Sequence, residues 1–192
     1  MSEALPWDLQ YDSAQFIAIP DADAVDEAAW IAECLTRYGI GRAESSAAVD
    51  QIVATAMMML NSARPVGAQL WFAPPGLYSD VLVTVDVQSS ADRPDVDDFF
   101  AELEFSTAVD VKPIRTDTHG AGILVRWAVE IEADAGTGEP GILVAHWRLV
   151  LNDGTWTILI DALGSALPVF ALLEEQISPL VFGITVPESI AA

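Results

Sequence analysis

The stretch ILVAHWRLVLNDGTWTILID, residues 142–161, constrains the fold more than any other part of the chain. It holds two apolar runs, rich in β-branched and aromatic residues, on either side of Asp153-Gly154. Such runs favour β-strands, and an Asp-Gly step between them is typical of a tight hairpin turn. The sequence therefore predicts an antiparallel hairpin, which needs a larger sheet to be stable.

Successive side chains of a strand point to opposite faces, so the turn decides which residues lie together. A two-residue turn at Asp153 and Gly154 would pair Asn152 with Thr155. One face would then be apolar, and its members are Trp147, Leu149, Leu151, Trp156, Ile158 and Ile160. The other face would pair His146 with Asp161 and Arg148 with Leu159.

The preceding predicted strand, residues 123–132, alternates in the same way. We expect its apolar side, which includes Trp127, to join Trp147 and Trp156 in the core. Its polar side, which includes Arg126, would then share the face of His146 and Arg148.

The rest of the chain carries mixed helix and strand signals. Residues 14–20 read as a strand, and residues 67–88 read as two strands around a Pro-Pro-Gly connection. Lys112 and Pro113 favour an edge strand at 109–114. Helices are predicted in 21–41, 45–62, 92–105 and from about 167 to Ile177, followed by a short final strand after Pro179.

These elements predict a single α+β domain over residues 1–192, with its core in about residues 14–186. Its architecture would be a mainly antiparallel, twisted sheet of about six or seven strands flanked by helices. The tryptophan-bearing face would pack on helices from the N-terminal half and the C-terminus.

Charge excludes several classes of partner. Asp and Glu number 29 against 8 Lys and Arg, for a formal net charge of −21, and Lys112 is the only lysine. Such a surface repels phosphate backbones and anionic lipid, so we expect neither nucleic acid nor a membrane as partner. A basic protein partner fits this charge, and solubility alone is the simpler explanation.

Cys34 is the only cysteine, so an intrachain disulfide is excluded, and its helical setting predicts a buried structural thiol. The first residues lack the basic and apolar regions of a signal peptide. No apolar run approaches the roughly 20 residues of a membrane span. We therefore expect a cytoplasmic protein.

The sheet face with mixed polarity offers a candidate ligand site formed by Arg126, His146, Arg148 and Asp161. A His-Asp pair could act as a base, and two arginines could hold an anion. The sequence indicates no nucleophile, no second histidine at metal-ligand spacing and no glycine-rich phosphate loop. We therefore favour a solvated face with cross-strand charge pairs, and predict no catalytic residue, no metal and no cofactor.

Protein-binding candidates are of two kinds. Acidic residues at predicted helix starts would attract a basic partner, and they are Asp21, Asp23, Asp26, Glu27, Asp95, Asp97 and Asp98. Asp92, Asp95 and Asp97 suit a calcium loop poorly, because the glycine and distal glutamate of such a loop are missing, so helix capping is the favoured role. Aromatic residues expected at the surface are Trp7, Tyr11 and Tyr78.

Several stretches together resemble a group of actinobacterial proteins of the PsbP-like α/β/α sandwich class. They are GAQLWFAPPGLYSDVLVTV, RWAVEIEADAGTGEPGILVAHWRLVL, WTILIDALGSALP and the terminal helix and strand. The resemblance implies a three-layer fold that binds other proteins, encoded near secretion or toxin genes, such as those of type VII secretion. It transfers no catalytic residue.

Three functions remain open at this point. The first is a non-enzymatic, acidic protein-binding factor, such as an immunity, chaperone or accessory protein for a secreted effector. The second is a small-molecule binder or enzyme that uses the Arg126, His146, Arg148 and Asp161 face. The third is a structural subunit that self-associates, with the C-terminal SPLVFGITV as an edge for strand addition.

Overall fold

The computed structural model describes residues 7–21, 25–39, 46–62, 67–90, 108–131 and 141–186. The predicted helix at 92–105 lies outside these residues. The described helices are α1 (Glu27–Arg37), α2 (Ser46–Asn61) and α3 (Leu167–Phe182). The described strands are β1 (Asp8–Leu9), β2 (Phe16–Ala18), β3 (Ala68–Phe72), β4 (Val81–Ser89), β5 (Ala108–Thr116), β6 (Gly120–Ile131), β7 (Ile142–Asn152), β8 (Trp156–Gly164) and β9 (Ile184–Thr185).

Seven of these strands form one antiparallel sheet in the order β2-β3-β4-β8-β7-β6-β5. The short strands β1 and β9 pair with each other in a second, two-stranded sheet. The predicted α+β fold with an antiparallel sheet of six or seven strands is therefore confirmed. Strand β5 is an edge strand as expected, and β2 is the opposite edge.

Helices cover both faces of the large sheet. We call one face the α3 face; the alternating valines of β4 lie on it, and they pack with Phe170 and Leu173 of α3. On the opposite face, Trp71 of β3 packs against Trp30 of α1 and Met59 of α2. Each helix buries one apolar stripe on a sheet, which is the layered arrangement expected of an α/β/α sandwich.

Helix α3 runs through Pro179 to Phe182, so the prediction that it ends near Ile177 is wrong. Proline removes one helical hydrogen bond and crowds the preceding turn. Pro179 is exposed, whereas Leu180 and Val181 after it are buried in the core. Burial of two such side chains, worth about 1.5–3 kcal/mol each, offsets the cost of the proline.

The β7–β8 hairpin differs from the predicted register by two residues. Asn152 pairs with Thr157 instead of Thr155, so the four residues between this pair are Asp153–Trp156, of which Trp156 already pairs with β4. The Asp153 carboxylate accepts from the backbone N–H groups of Thr155 and Trp156 at 2.8 and 2.7 Å, which stabilises the wider turn. A shift of two residues keeps every side chain on its predicted face.

Strand β6 presents the opposite faces from those predicted. Trp127 pairs with His146, and Arg126 pairs with Trp147. Because paired residues share a face, Arg126 lies on the α3 face and Trp127 lies on the other. The expectation that Trp127 joins Trp147 and Trp156 is therefore wrong. The face of Trp147 and Trp156 packs on α3, as expected, but the N-terminal helices α1 and α2 cover the opposite face, so the expectation that they pack on the tryptophan-bearing face is wrong.

Candidate functional site

Arg148 and Asp161 form a cross-strand ion pair on the face opposite α3. The Arg148 Nε and Nη2 atoms donate to the two Asp161 carboxylate oxygens at 2.7 and 3.3 Å. The two side chains are only 14% and 20% exposed. In a forked contact of this kind each group neutralises the charge of the other, so we assign the pair a structural role in the sheet.

His146 is held by aromatic packing, and its ring centroid lies 4.1 Å from that of Trp127. In the ladder His146 pairs with Leu163, so the predicted pairing of His146 with Asp161 is wrong. The two-residue shift of the hairpin replaces that pair by Arg148 with Asp161. The proposed His-Asp base is therefore not assembled across these strands.

Arg126 lies on the α3 face of the sheet. Its guanidinium donates to both Glu174 oxygens of α3 at 3.1 and 3.2 Å and lies 5.0 Å from the Trp147 ring centroid. Asp110 of β5 lies 3.4 Å from its Nε. The four residues of the predicted ligand face therefore do not all lie together. His146, Arg148 and Asp161 lie on the face opposite α3, and Arg126 lies on the α3 face.

The acidic protein-binding candidates lie in different places. Asp26 is the N-cap of α1, and its side chain accepts from the Ala29 N–H at 3.1 Å. Asp21 and Glu27 are exposed on either side of it. The remaining candidates lie outside the described residues, and these are Asp23, Asp95, Asp97 and Asp98.

The three aromatic candidates are not equivalent. Trp7 is 7% exposed and belongs to the core, so the expectation that it is a surface residue is wrong. Tyr78 is exposed, and its hydroxyl lies 2.8 Å from the Thr55 hydroxyl of α2. Tyr11 is half-buried and packs edge-to-face on Phe16.

Tyr11 and Asp26 both line a groove of about 670 Å³ between β2 and α1, which we call the edge groove. Its described lining includes Phe16, Ile17 and Ala18 of β2. The α1 residues that line it recur at helical spacing, and they are Ala29, Trp30, Glu33, Thr36 and Arg37.

The floor of the edge groove is apolar. Phe16 is buried on the α3 face, whereas Ile17 and Trp30 are buried together on the opposite face. The Trp30 Nε1 atom is buried without a hydrogen-bond partner among the described residues. The small side chains of Ala18 and Ala29 leave the space above this floor open to solvent.

The rim of the edge groove is acidic. Glu33 and Asp26 line it, and three further exposed acids adjoin lining residues in the sequence, namely Asp12, Asp21 and Glu27. Arg37 is the one described basic residue in the lining, and its guanidinium donates to the Ser13 carbonyl. The local charge therefore favours a cationic ligand.

Cys34 lies next to Glu33 but has no access to the edge groove, because it is fully buried on the inner side of α1. Burial, with a smaller contribution from Glu33, raises the pKa of its thiol to about 12. A thiol in this state is a poor nucleophile at neutral pH. The predicted structural role of Cys34 agrees with this environment.

Sequence reasoning singled out Tyr11 and Asp26 but missed Glu33 and Trp30. The available signal was their helical spacing from Asp26, at positions 30 and 33. That spacing alone cannot show that α1 lies beside an open sheet edge.

Comparison of the chain with protein-family models, curated proteins and solved structures finds no match in any of the three. The resemblance to the PsbP-like class therefore stays a prediction. Among the described helices, none is long and apolar enough to cross a membrane. The described residues also hold no group of three or more His, Cys, Asp or Glu placed to bind a metal.

Proposed function

We propose that this protein is a non-enzymatic, acidic binding factor that holds a basic segment of a protein partner in the edge groove. The observation that carries the proposal is the groove itself, which combines an apolar floor around Trp30 with an acidic rim at Glu33 and Asp26. Apolar contact supplies affinity, and charge supplies steering and selectivity.

Because the net charge is −21, the whole molecule, and not only the edge groove, attracts basic partners. A basic partner is attracted from a distance, and its association rate falls as salt screens the surface. We place the protein with immunity, chaperone or accessory factors of a secreted effector, acting in the cytoplasm. The sequence resemblance to proteins of actinobacterial secretion loci supports this placement.

The edge groove suits a ligand better than the sheet face of His146 does. On that face the carboxylate of Asp161 is committed to Arg148, and Arg126 lies on the other side of the sheet. In the edge groove, by contrast, Glu33 is exposed beside a buried indole. The groove therefore offers a cationic ligand both an opposite charge and an apolar surface.

Replacing Glu33 by lysine is expected to weaken binding of a basic peptide about tenfold, or roughly 1.4 kcal/mol. The change removes an attractive charge from the rim and adds a repulsive one. The probe is a fluorescein-labelled peptide of about nine residues that alternates lysine with valine, and anisotropy measures its affinity.

Glu175→Lys is the matched control, because Glu175 is an exposed acid on α3, away from the edge groove. Both substitutions alter net charge equally, so only a local effect separates them. We expect the peptide affinity of Glu175→Lys to stay within about threefold of that of the wild type. The affinity of the wild-type protein should itself fall steeply as the salt concentration rises to about 0.5 M. Equal losses in the two variants would contradict a site at the groove.

A further inference from the structure

We propose that the bound segment enters the edge groove as an extended strand that adds to β2 and makes an eighth strand of the large sheet. This inference rests on the proposed function and specifies how the partner is held. The partner segment is basic and extended, with lysine or arginine at alternate positions.

The backbone of β2 supplies the template for this addition. Bonds from the Ile19 N–H to the Gln69 carbonyl and from the Ala73 N–H to the Gln15 carbonyl fix the β2–β3 ladder. In an antiparallel ladder the bonded positions alternate, so Ile17 points its backbone groups at β3. The neighbouring Phe16 and Ala18 therefore direct theirs outward, toward the open edge.

One of these outward-facing backbone groups already makes a hydrogen bond within the chain. The Phe16 N–H donates to the Asp12 carbonyl at 3.0 Å, within the turn that precedes β2. The Phe16 carbonyl and both backbone groups of Ala18 have no partner among the described residues, and Ala18 is exposed. Unpaired edge groups of this kind are what an added strand bonds to.

The two edges of the sheet differ in protection. The β5 edge carries Lys112 and Pro113 in its middle, which discourage pairing with another strand. Strand β2 has the sequence Phe-Ile-Ala and carries no charge. It is short and ends before Pro20, so it offers room for a paired segment of about three to five residues.

Side-chain chemistry selects a basic segment. Side chains of an added strand alternate between the two faces, so half of them point toward α1. A lysine or arginine there can lay its apolar stem over Ala29 and Trp30 while its charged end reaches Glu33. Residues of the other half would meet Tyr11 and Phe16, which favours apolar side chains at those positions.

Hydrogen exchange and backbone methylation of the peptide test this inference on the wild-type protein. The probe is the alternating lysine and valine peptide, with two further versions that carry N-methyl groups on its odd or its even residues. We expect the parent peptide to slow exchange of the Ala18 amide at least about tenfold. One methylated version should lose at least about tenfold in affinity and the other should bind like the parent, because only one set of N–H groups faces β2.

The outcomes separate this inference from the proposed function. If the peptide binds with the expected salt and Glu33 dependence but leaves Ala18 exchange unchanged, strand addition is overturned and the proposed function stands. Equal effects of the two methylation patterns overturn it as well. If the parent peptide does not bind at all, the proposed function itself fails. Slowed Ala18 exchange that depends on protein concentration, without peptide, would assign the edge to a second copy and overturn the proposal.

Discussion

Replacing Asp161 by alanine is expected to lower the free energy of unfolding by about 3 kcal/mol. The substitution removes the carboxylate that accepts from Nε and Nη2 of the Arg148 guanidinium, whose side chain is 14% exposed. Removing one partner of a largely buried pair costs more than the pair contributes, because the remaining charge stays desolvated. Urea unfolding followed by circular dichroism measures the change.

Asp110→Ala is the matched control. Asp110 also faces an arginine, Arg126, but its side chain is 67% exposed, so water replaces the lost contact. We expect a loss below about 1 kcal/mol. A similar loss in the two variants would contradict a structural role for the pair of Arg148 and Asp161.

Gly122→Ala is expected to cost at least about 3 kcal/mol, because there is no space for a methyl group beside β7. A Cβ at Gly122 would lie 1.8 Å from the Val150 carbonyl oxygen and 2.9 Å from the Leu151 Cα. Both atoms belong to the backbone, so the two strands would have to move apart. Such a shift would weaken the longest ladder of the sheet, between β6 and β7.

Gly154→Ala is the comparison for this position. Gly154 has a φ of +93° in the hairpin turn, and nothing lies within 4 Å of its Cβ position. Only backbone strain opposes the substitution, so we expect a loss of about 1 kcal/mol in the same urea experiment. If Gly122→Ala lowers the free energy of unfolding by no more than Gly154→Ala does, the close approach of β6 and β7 is contradicted.

Local patterns were sufficient to predict an antiparallel sheet and the existence of the β7–β8 hairpin, but not the register of that hairpin. The two-residue period of β7 and β8 predicted the correct faces, since each apolar run alternates with polar residues on one side. The register was missed because it depends on how the Asn152 and Asp153 side chains bond the turn. An Asp-Gly step is compatible with both a two-residue and a wider connection.

The faces of β6 could not be assigned in the same way. Both sides of this strand carry apolar residues, with Leu124 on one and Val125 on the other, and both are buried. Pairing with β7 determines which side of β6 lies on the α3 face, because it places Arg126 beside Trp147. An arginine on this packed face is stable because Glu174 accepts its hydrogen bonds.

The edge groove depends on strand order, which no local pattern reports. Tyr11 and Asp26 were identifiable from the sequence as an aromatic residue and an acidic helix start. Their juxtaposition requires β2 to be the last strand of the sheet, with α1 packed beside it. The charge of the chain was visible from composition, whereas the place where it meets an apolar floor was not.

An NMR titration of the ¹⁵N-labelled protein with the alternating lysine and valine peptide tests the central claim most directly. We expect the largest changes at the amides of Ile17 and Ala18 in β2 and of Trp30 and Glu33 in α1. Changes centred on His146, Arg148 and Asp161 would contradict a site at the edge groove and point to a site on β7 and β8 instead. Changes spread evenly over the acidic surface would show attraction by charge alone, without the groove.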